Sequence, residues 1–344
     1  MFSRILIVGL GSIGKRHKEL VHQLFPNAEV EVLRLRDKTQ IVDSDIEFLT
    51  TIQDAKEFSP DIAVLCTPST SHVSLGLDLA KSGAHLLIEK PISQSSEGVL
   101  ELLEECASKN VVLMVGYNLR YLKSLQEFRR HVSEGLIGKP LSVRCEVGQY
   151  LPNWRPKIDY RESVSAKREL GGGVLLELSH EIDYLRWIFG EVDWVRATLL
   201  RQSELEIDVE DTVHLTMGFE KSISGKQLVA NLNMDFIRHD ATRSCTVIGD
   251  RGSLRWDGIS GEVSIFQASE KTWDTLFTND NGMEETYLLE WQDFIKAIKQ
   301  KRSPAVTGED GLSVVEIIEA ARLSSKSGIQ TAVIRSPIKS EASR

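Results

Sequence analysis

Three short stretches of this chain set chemically capable residues at spacings that matter. "HLLIEKPIS", His85 to Ser93, is an aliphatic run that ends abruptly in Glu89, Lys90 and Pro91. Burying a charge is costly and proline cannot donate to a strand ladder. The lysine is therefore either the wet end of a strand or a cation held there for use. "GLGSIG" places Gly9, Gly11 and Gly14 in G-x-G-x-x-G spacing. Such glycines permit a tight turn, close approach of backbone to a pyrophosphate, and close helix–strand packing. The N–H groups of Gly11, Ser12, Ile13 and Gly14 would then face phosphate at a helix N-terminus. In "LLELSHEID", Glu177, His180 and Asp183 follow one another at three-residue steps, one face of the helix expected there. Imidazole titrates near neutral pH and a neighbouring carboxylate can orient it. His180 is thus the base candidate, with Glu177 and Asp183 as its acidic partners, although a helical histidine among acids is also an ordinary surface arrangement.

These groups need a scaffold. The first third alternates short apolar runs with helical stretches, as parallel βαβ units do. Strands are expected at Arg4–Gly11, Ala28–Arg36, Asp61–Ser69, in "AHLLIEKP" and at Val111–Asn118. Helices are expected at Ser12–Leu24, Ser71–Ser82 and Glu97–Lys109. Right-handed crossovers would wind them into an open parallel sheet, an α/β Rossmann dinucleotide-binding domain over residues 1–121. Ligands of such sheets lie at the carboxyl ends of the strands, where Thr67, Pro68, Glu89, Lys90 and Asn118 fall. His72 begins the helix after one such loop and is set either to touch a ribose or to cap the helix.

Beyond Tyr121 the grammar changes. A helix at Leu125–Glu134 precedes runs of half-polar alternation, among them "GKPLSVRCEVGQY", "DWVRATLLR", "DTVHLTMGFE", "KQLVANLNMDF", "SCTVIGDRGSLRWD" and "EVSIFQ". Alternation of this kind predicts a large, mostly antiparallel open sheet with one covered face. One helix over Glu177–Phe189 and two more, Glu284–Gln300 and Gly311–Lys326, complete an α+β domain over 122–335, and 336–344 read as a mobile tail. Asn118, Arg120 and Tyr121 fall at the domain junction, and Tyr160, Arg161 and Lys167 precede the triple glycine Gly171–Gly173. These polar residues, with Arg238 and Arg243, are candidates to bind substrate hydroxyls or phosphate. The triple glycine reads as a hinge into the following helix.

The second strand ends in "LRLRD", with Leu35 near the position where a ribose-binding acid is expected and Arg34 and Arg36 on either side. Arginine there can receive the 2′-phosphate of NADP, so NADP is favoured over NAD. At 344 residues the chain has length for two domains, and 41% hydrophobic with 26% charged residues suits an ordinary globular protein. A formal charge of −9 argues against nucleic acid or anionic membrane as partner. The four cysteines, Cys66, Cys106, Cys145 and Cys245, make no C-x-x-C pair and read as reduced thiols of a cytoplasmic protein, with no metal site.

Taken together, "VGLGSIGKRH", "TPSTSH", "EKPIS", "VGYNLRY", "ELGGGVLLELSHEIDYLRWIFG", "GDRGSL" and "GEDGLSVVEIIEAARLSSKSG" occur in an order that resembles the Gfo/Idh/MocA oxidoreductases over nearly the whole chain. The resemblance implies that Lys90 lies beside the nicotinamide and takes part in catalysis. It also implies an antiparallel sheet of six or more strands in the second domain, often a dimer interface, hence a homodimer or homotetramer. The family pattern has an aspartate four residues before the histidine, whereas here the nearest acid is Glu177, three before it. The function implied is that of an NAD(P)-dependent oxidoreductase acting on a sugar, amino sugar or nucleotide sugar, with surface polysaccharide synthesis as one setting. The alternatives are an epimerase, lyase or glycosidase that oxidises its substrate transiently, and a non-catalytic dinucleotide sensor.

Overall fold

Aliphatic runs flanked by amphipathic helices bury best as a parallel sheet with helices on its faces. The computed structural model describes residues 2–35, 48–221, 226–279 and 282–337. The chain divides into two compact units, one of Met1–Gly116, Glu290–Leu312 and Ser336–Arg344, the other of Tyr117–Leu289 and Ser313–Arg335.

In the first unit the elements run β1 (Arg4–Val8), α1 (Ser12–Leu24), β2 (Glu29–Leu33), α2 (Ile52–Phe58), β3 (Ile62–Leu65), α3 (His72–Lys81), β4 (His85–Glu89), α4 (Val99–Lys109) and β5 (Leu113–Gly116). The five strands are parallel in the order β2-β1-β3-β4-β5. Ile5 to Val8, Ile62 to Leu65 and Leu86 to Ile88 have no exposed surface, which explains their unbroken apolar sequence. Each strand stops earlier than the sequence predicts; after β1, β3 and β4 the chain turns into a loop at Gly9, Pro68 and Pro91. Helix α2 is absent from the sequence-based expectation. Its start is marked by a capping box in which Thr51 Oγ1 accepts from the Asp54 amide while the Asp54 carboxylate accepts from that of Thr51. Arg36 and the tail beyond residue 337 lie outside the described residues.

The second unit continues with α5 (Lys123–Ser133), β6 (Pro140–Gly148), α6 (Leu151–Trp154), α7 (Val174–Glu177), α8 (His180–Phe189), β7 (Val192–Leu200), β8 (Thr212–Phe219), β9 (Val229–Asp235), β10 (Thr242–Gly249), β11 (Gly252–Asp257), β12 (Glu262–Gln267) and β13 (Trp273–Phe277). Helices α9 (Met283–Gln300) and α10 (Gly308–Ser327) divide their residues between the two units, and β14 (Thr331–Ala332) follows. The nine strands form one sheet, β13-β12-β11-β10-β6-β9-β8-β7-β14, in which every pair is antiparallel except β6 with β9. The run "SCTVIGDRGSLRWD" is two strands turned at Asp250–Arg251. On the covered face, Val143, Cys145, Val213, Leu215, Leu232, Val247 and Trp256 are buried. Here α5 and α8 pack against it: Trp256 Nε1 donates to Ser124 Oγ at 3.0 Å, and the Tyr184 ring stands edge-on to Trp256 at 5.5 Å. Near the β7 edge, Ser324 and Ser325 of α10 accept from the amides of Ala197 and Leu199.

Candidate active site

The glycine turn is built as its spacing requires. Gly9 has φ +90°, and a Cβ there would meet Cys66 O at 3.0 Å. A Cβ on Gly14 would lie 2.1 Å from Gly9 O, so α1 reaches β1 only because residue 14 has no side chain. A Cβ on Gly11 would project into open space, with no atom within 4 Å. Ser12 opens α1, which has no side-chain cap at its N-terminus and no acid in its first turn. Its first amides and its positive dipole end are thereby left to serve an anion, and Ile13 and Gly14 continue that turn. These features fit a dinucleotide pyrophosphate.

Around the turn, Thr67 and Pro68 form the loop after β3, and Ser71 Oγ donates to Thr67 Oγ1 at 2.8 Å. Glu89 ends β4 and Lys90 follows, half-buried, with the Lys90–Pro91 peptide cis. Glu89 Oε1 lies 2.8 Å from His17 Nε2, and Oε2 accepts the Lys90 amide at 3.2 Å. His72 is buried with Nε2 2.8 Å from Thr67 O and Nδ1 3.0 Å from Pro91 O. The ring thus stands between two loops, and in its neutral form, with a single N–H, it donates to one of the two carbonyls. Burial pulls the His72 pKa below the usual imidazole value, against the opposing pull of the two carbonyls. At the end of β2 the Arg34 guanidinium stacks 5.0 Å above the Phe48 ring, while Leu35 is 52% exposed.

In the second unit the expected single helix over Glu177–Phe189 is broken. Glu177 is the last residue of α7 and His180 the first of α8, with Leu178 and Ser179 between them, so the two do not share one helical face. His180 is half-buried and its ring stands edge-on to Tyr117 at 5.6 Å. Tyr117 Oη donates to Ser179 Oγ at 3.3 Å, placing the phenol under the start of α8. Burial drives the Tyr117 pKa up, so this phenol stays neutral. Asp183 is buried and receives Arg120 through Nε at 2.9 Å and Nη2 at 2.7 Å. That bidentate pair fixes α8 through the Arg120 guanidinium. Asn118 Nδ2 donates to Thr286 Oγ1 at 2.7 Å, and Asn118 and Tyr121 are both buried. The amide of Asn118 thus ties the residues after β5 to α9.

Tyr160, Arg161 and Lys167 lie together elsewhere on this unit. Arg161 pairs with Asp159 and Glu206, Lys167 with Glu162, and Tyr160 Oη accepts the Glu206 amide. Arg161 and Lys167 line a cavity of about 460 Å³ that is completed by Ala166, Arg201 and residues 203–208. Arg238 pairs with Glu146, and Arg243 with Glu181, the buried neighbour of His180. The triple glycine is a tight turn into α7: Gly173 has φ +106°, and a Cβ on Gly172 would strike Val164 O at 2.3 Å. All four cysteines are buried and free, and no cluster of metal-binding side chains occurs among the described residues. No helix among the described residues is long and apolar enough to cross a membrane.

Residues 3–117 match the signature of an oxidoreductase family, NAD-binding Rossmann fold, and residues 129–333 match the C-terminal alpha/beta domain of the same family. The chain belongs to the Gfo/Idh/MocA oxidoreductases. Within this family it is 26% identical over 333 residues to myo-inositol 2-dehydrogenase of Thermotoga maritima, covering 93% of this chain and 96% of that one. It is 27% identical over 305 residues to levoglucosan dehydrogenase of Pseudarthrobacter phenanthrenivorans, covering 76% and 77%. Among solved structures, levoglucosan dehydrogenase in complex with NADH superposes with a TM-score of 0.82 at 21% identity, over 97% of this chain and 100% of that one. The WlbA dehydrogenase from Bordetella pertussis, in complex with NADH and UDP-GlcNAcA, superposes with a TM-score of 0.79 at 21% identity, over 98% and 100%. The family is one of NAD-dependent dehydrogenases of sugars and sugar derivatives.

Sequence reasoning named the glycine turn and Lys90 and passed over His17, Trp291 and Tyr117. His17 was legible in part: Gly14, His17 and Val21 are the buried residues of α1, at helical spacing.

Proposed function

We propose that this chain is an NAD(P)-dependent dehydrogenase or reductase that moves a hydride between nicotinamide and a carbinol carbon of a sugar, amino sugar or nucleotide sugar. The observation that carries this reading is Lys90 held at the carboxyl end of β4, in the same unit as a glycine turn open at Gly11. Gly11 to Gly14 would hold the pyrophosphate, and Thr67, Pro68 and Glu89 would line the remainder of the cofactor. When bound, nicotinamide supplies the hydride acceptor. The protein must then manage the hydroxyl proton and the negative charge that develops on oxygen. Lys90 supplies the cation that lowers the energy of the alkoxide, and His180 accepts the proton. In this reading His180 is the base, and Asp183 fixes α8 through the two bonds its oxygens receive from Arg120.

The test is a screen of inositols, anhydrosugars, aldoses and nucleotide sugars, following absorbance of the reduced nicotinamide. Stoichiometric reduction of added cofactor is expected with at least one of them. Product formed without net cofactor reduction would replace this reading by transient oxidation. With the active sugar, Lys90→Ala and His180→Ala should each lower kcat by about 10²-fold or more, the scale of a lost acid–base or electrostatic group. Normal turnover by Lys90→Ala with normal cofactor binding would reduce the lysine to the end of a strand.

A further inference from the structure

Two buried imidazoles flank Lys90, one acting through each of its chain neighbours. His17, with no exposed surface, stands 2.8 Å from Glu89 through Nε2, and its Nδ1 accepts the indole N–H of Trp291 at 3.0 Å. An indole nitrogen only donates, so Nδ1 must present a lone pair and the ring proton stands on Nε2. Trp291 therefore fixes both the tautomer and the orientation of His17, which donates to the Glu89 carboxylate. The other oxygen of that carboxylate accepts the backbone amide of Lys90. On the far side, the carbonyl of Pro91 faces His72, whose other nitrogen faces Thr67 O in the loop after β3. His72 is 1% exposed. Filling space would require none of this. A leucine of similar volume packs a core without directional partners, and buried polar groups that must all be satisfied specify a single arrangement.

We propose that His17 and His72 are positioning residues for Lys90, fixing Glu89 on one side and Pro91 on the other so that the ammonium is presented in one place. The proposal rests on the reading of Lys90 as catalytic, and its test separates the two. Full-length protein saturated with NADP⁺ is treated with acetic anhydride, and acetylation of Lys90 is followed against the surface lysines by mass spectrometry. His17→Leu and His72→Leu should each raise the relative rate at Lys90 several-fold. His17→Gln, whose amide can accept from Trp291 and donate to Glu89, should restore it. If His17→Leu does not fold, His17→Asn, too short to span both partners, takes its place. In turnover with the sugar found by the screen, the leucine variants should lower kcat by about 10²-fold, the cost of misplacing a reacting group by an ångström. Cofactor affinity should stay within a few-fold, and the glutamine variant should recover most of the rate. Unchanged acetylation of Lys90 in every variant, or leucine and glutamine variants equally impaired, would overturn the proposal. Full turnover by Lys90→Ala would instead remove the catalytic reading, leaving the acetylation result to judge the positioning by itself.

Discussion

Cofactor preference turns on a few atoms at the end of β2. A carboxylate there would bind the adenosine ribose 2′-hydroxyl, whereas a guanidinium would pair with a 2′-phosphate. The chain offers no acid at Arg34 or Leu35, and Phe48 shelves the Arg34 guanidinium at 5.0 Å, restricting it before any ligand arrives. NADP(H) is therefore expected to bind more tightly than NAD(H), with a gap that narrows as salt screens the ion pair. Replacing Arg34 and Arg36 together by alanine should close the gap. Equal affinities in the unmodified protein would reject the assignment. The glycine turn was legible because local spacing alone implies its geometry. Phe48 was not, because its partner comes from the far side of a connection that carries no periodic pattern.

Helix α9 contributes Glu290 as well as Trp291 to the first unit, and Glu290 makes stability depend on pH. Its side chain is fully buried, and neither carboxyl oxygen has a hydrogen-bond partner among the described residues. Burial raises its pKa well above the ordinary carboxyl value, and the charges of Glu89 and Asp293 raise it further. Cys66 faces the same glutamates and is likewise pushed up, chiefly by burial. Above about pH 4.3 the unfolded chain has released a proton that the folded chain retains, so folding loses free energy as pH rises, until the folded pKa is passed. Glu290→Gln is neutral at every pH and removes that dependence. Thermal melts of variant and parent should nearly coincide at about pH 4 and diverge above it, with the variant the more stable at about pH 8. A difference in Tm that is constant across this range would clear Glu290 of the effect. Elements with strong periodicity were read well: α1 has the boundaries its sequence predicts. The break between α7 and α8 was missed because apolar residues continue through Leu178, and β13 because it lies exposed with no buried face to imprint alternation. No local pattern could join His17 to Glu89 and Trp291, 72 and 274 residues away.

At the scale of the whole molecule, one face of the nine-stranded sheet carries a prediction about assembly. Beside the buried alternation on β6, β7, β8 and β9, the opposite face shows Arg144, Arg196, Thr198, His214, Asn231 and Asn233 as exposed. These are small or polar, and they bond across strands: His214 Nδ1 lies 2.7 Å from Asn233 Oδ1, and Thr216 Oγ1 donates to Asn231 Oδ1 at 2.9 Å. A two-fold contact between copies on such a surface would be wet and hydrogen-bonded, with Arg144 on the middle strand of the nine. A homodimer or homotetramer through this face is expected at micromolar concentration by light scattering. Asn231 pairs directly with Arg144 across β6 and β9. Asn231→Arg would add a second cation beside Arg144 and set like charges against each other in a two-fold contact, while leaving each copy's covered face untouched. The variant should therefore fall toward the monomer mass while its circular dichroism and Tm per chain stay close to those of the parent. A monomeric parent under these conditions would refute the assembly, and a variant of unchanged mass would move the contact to another surface.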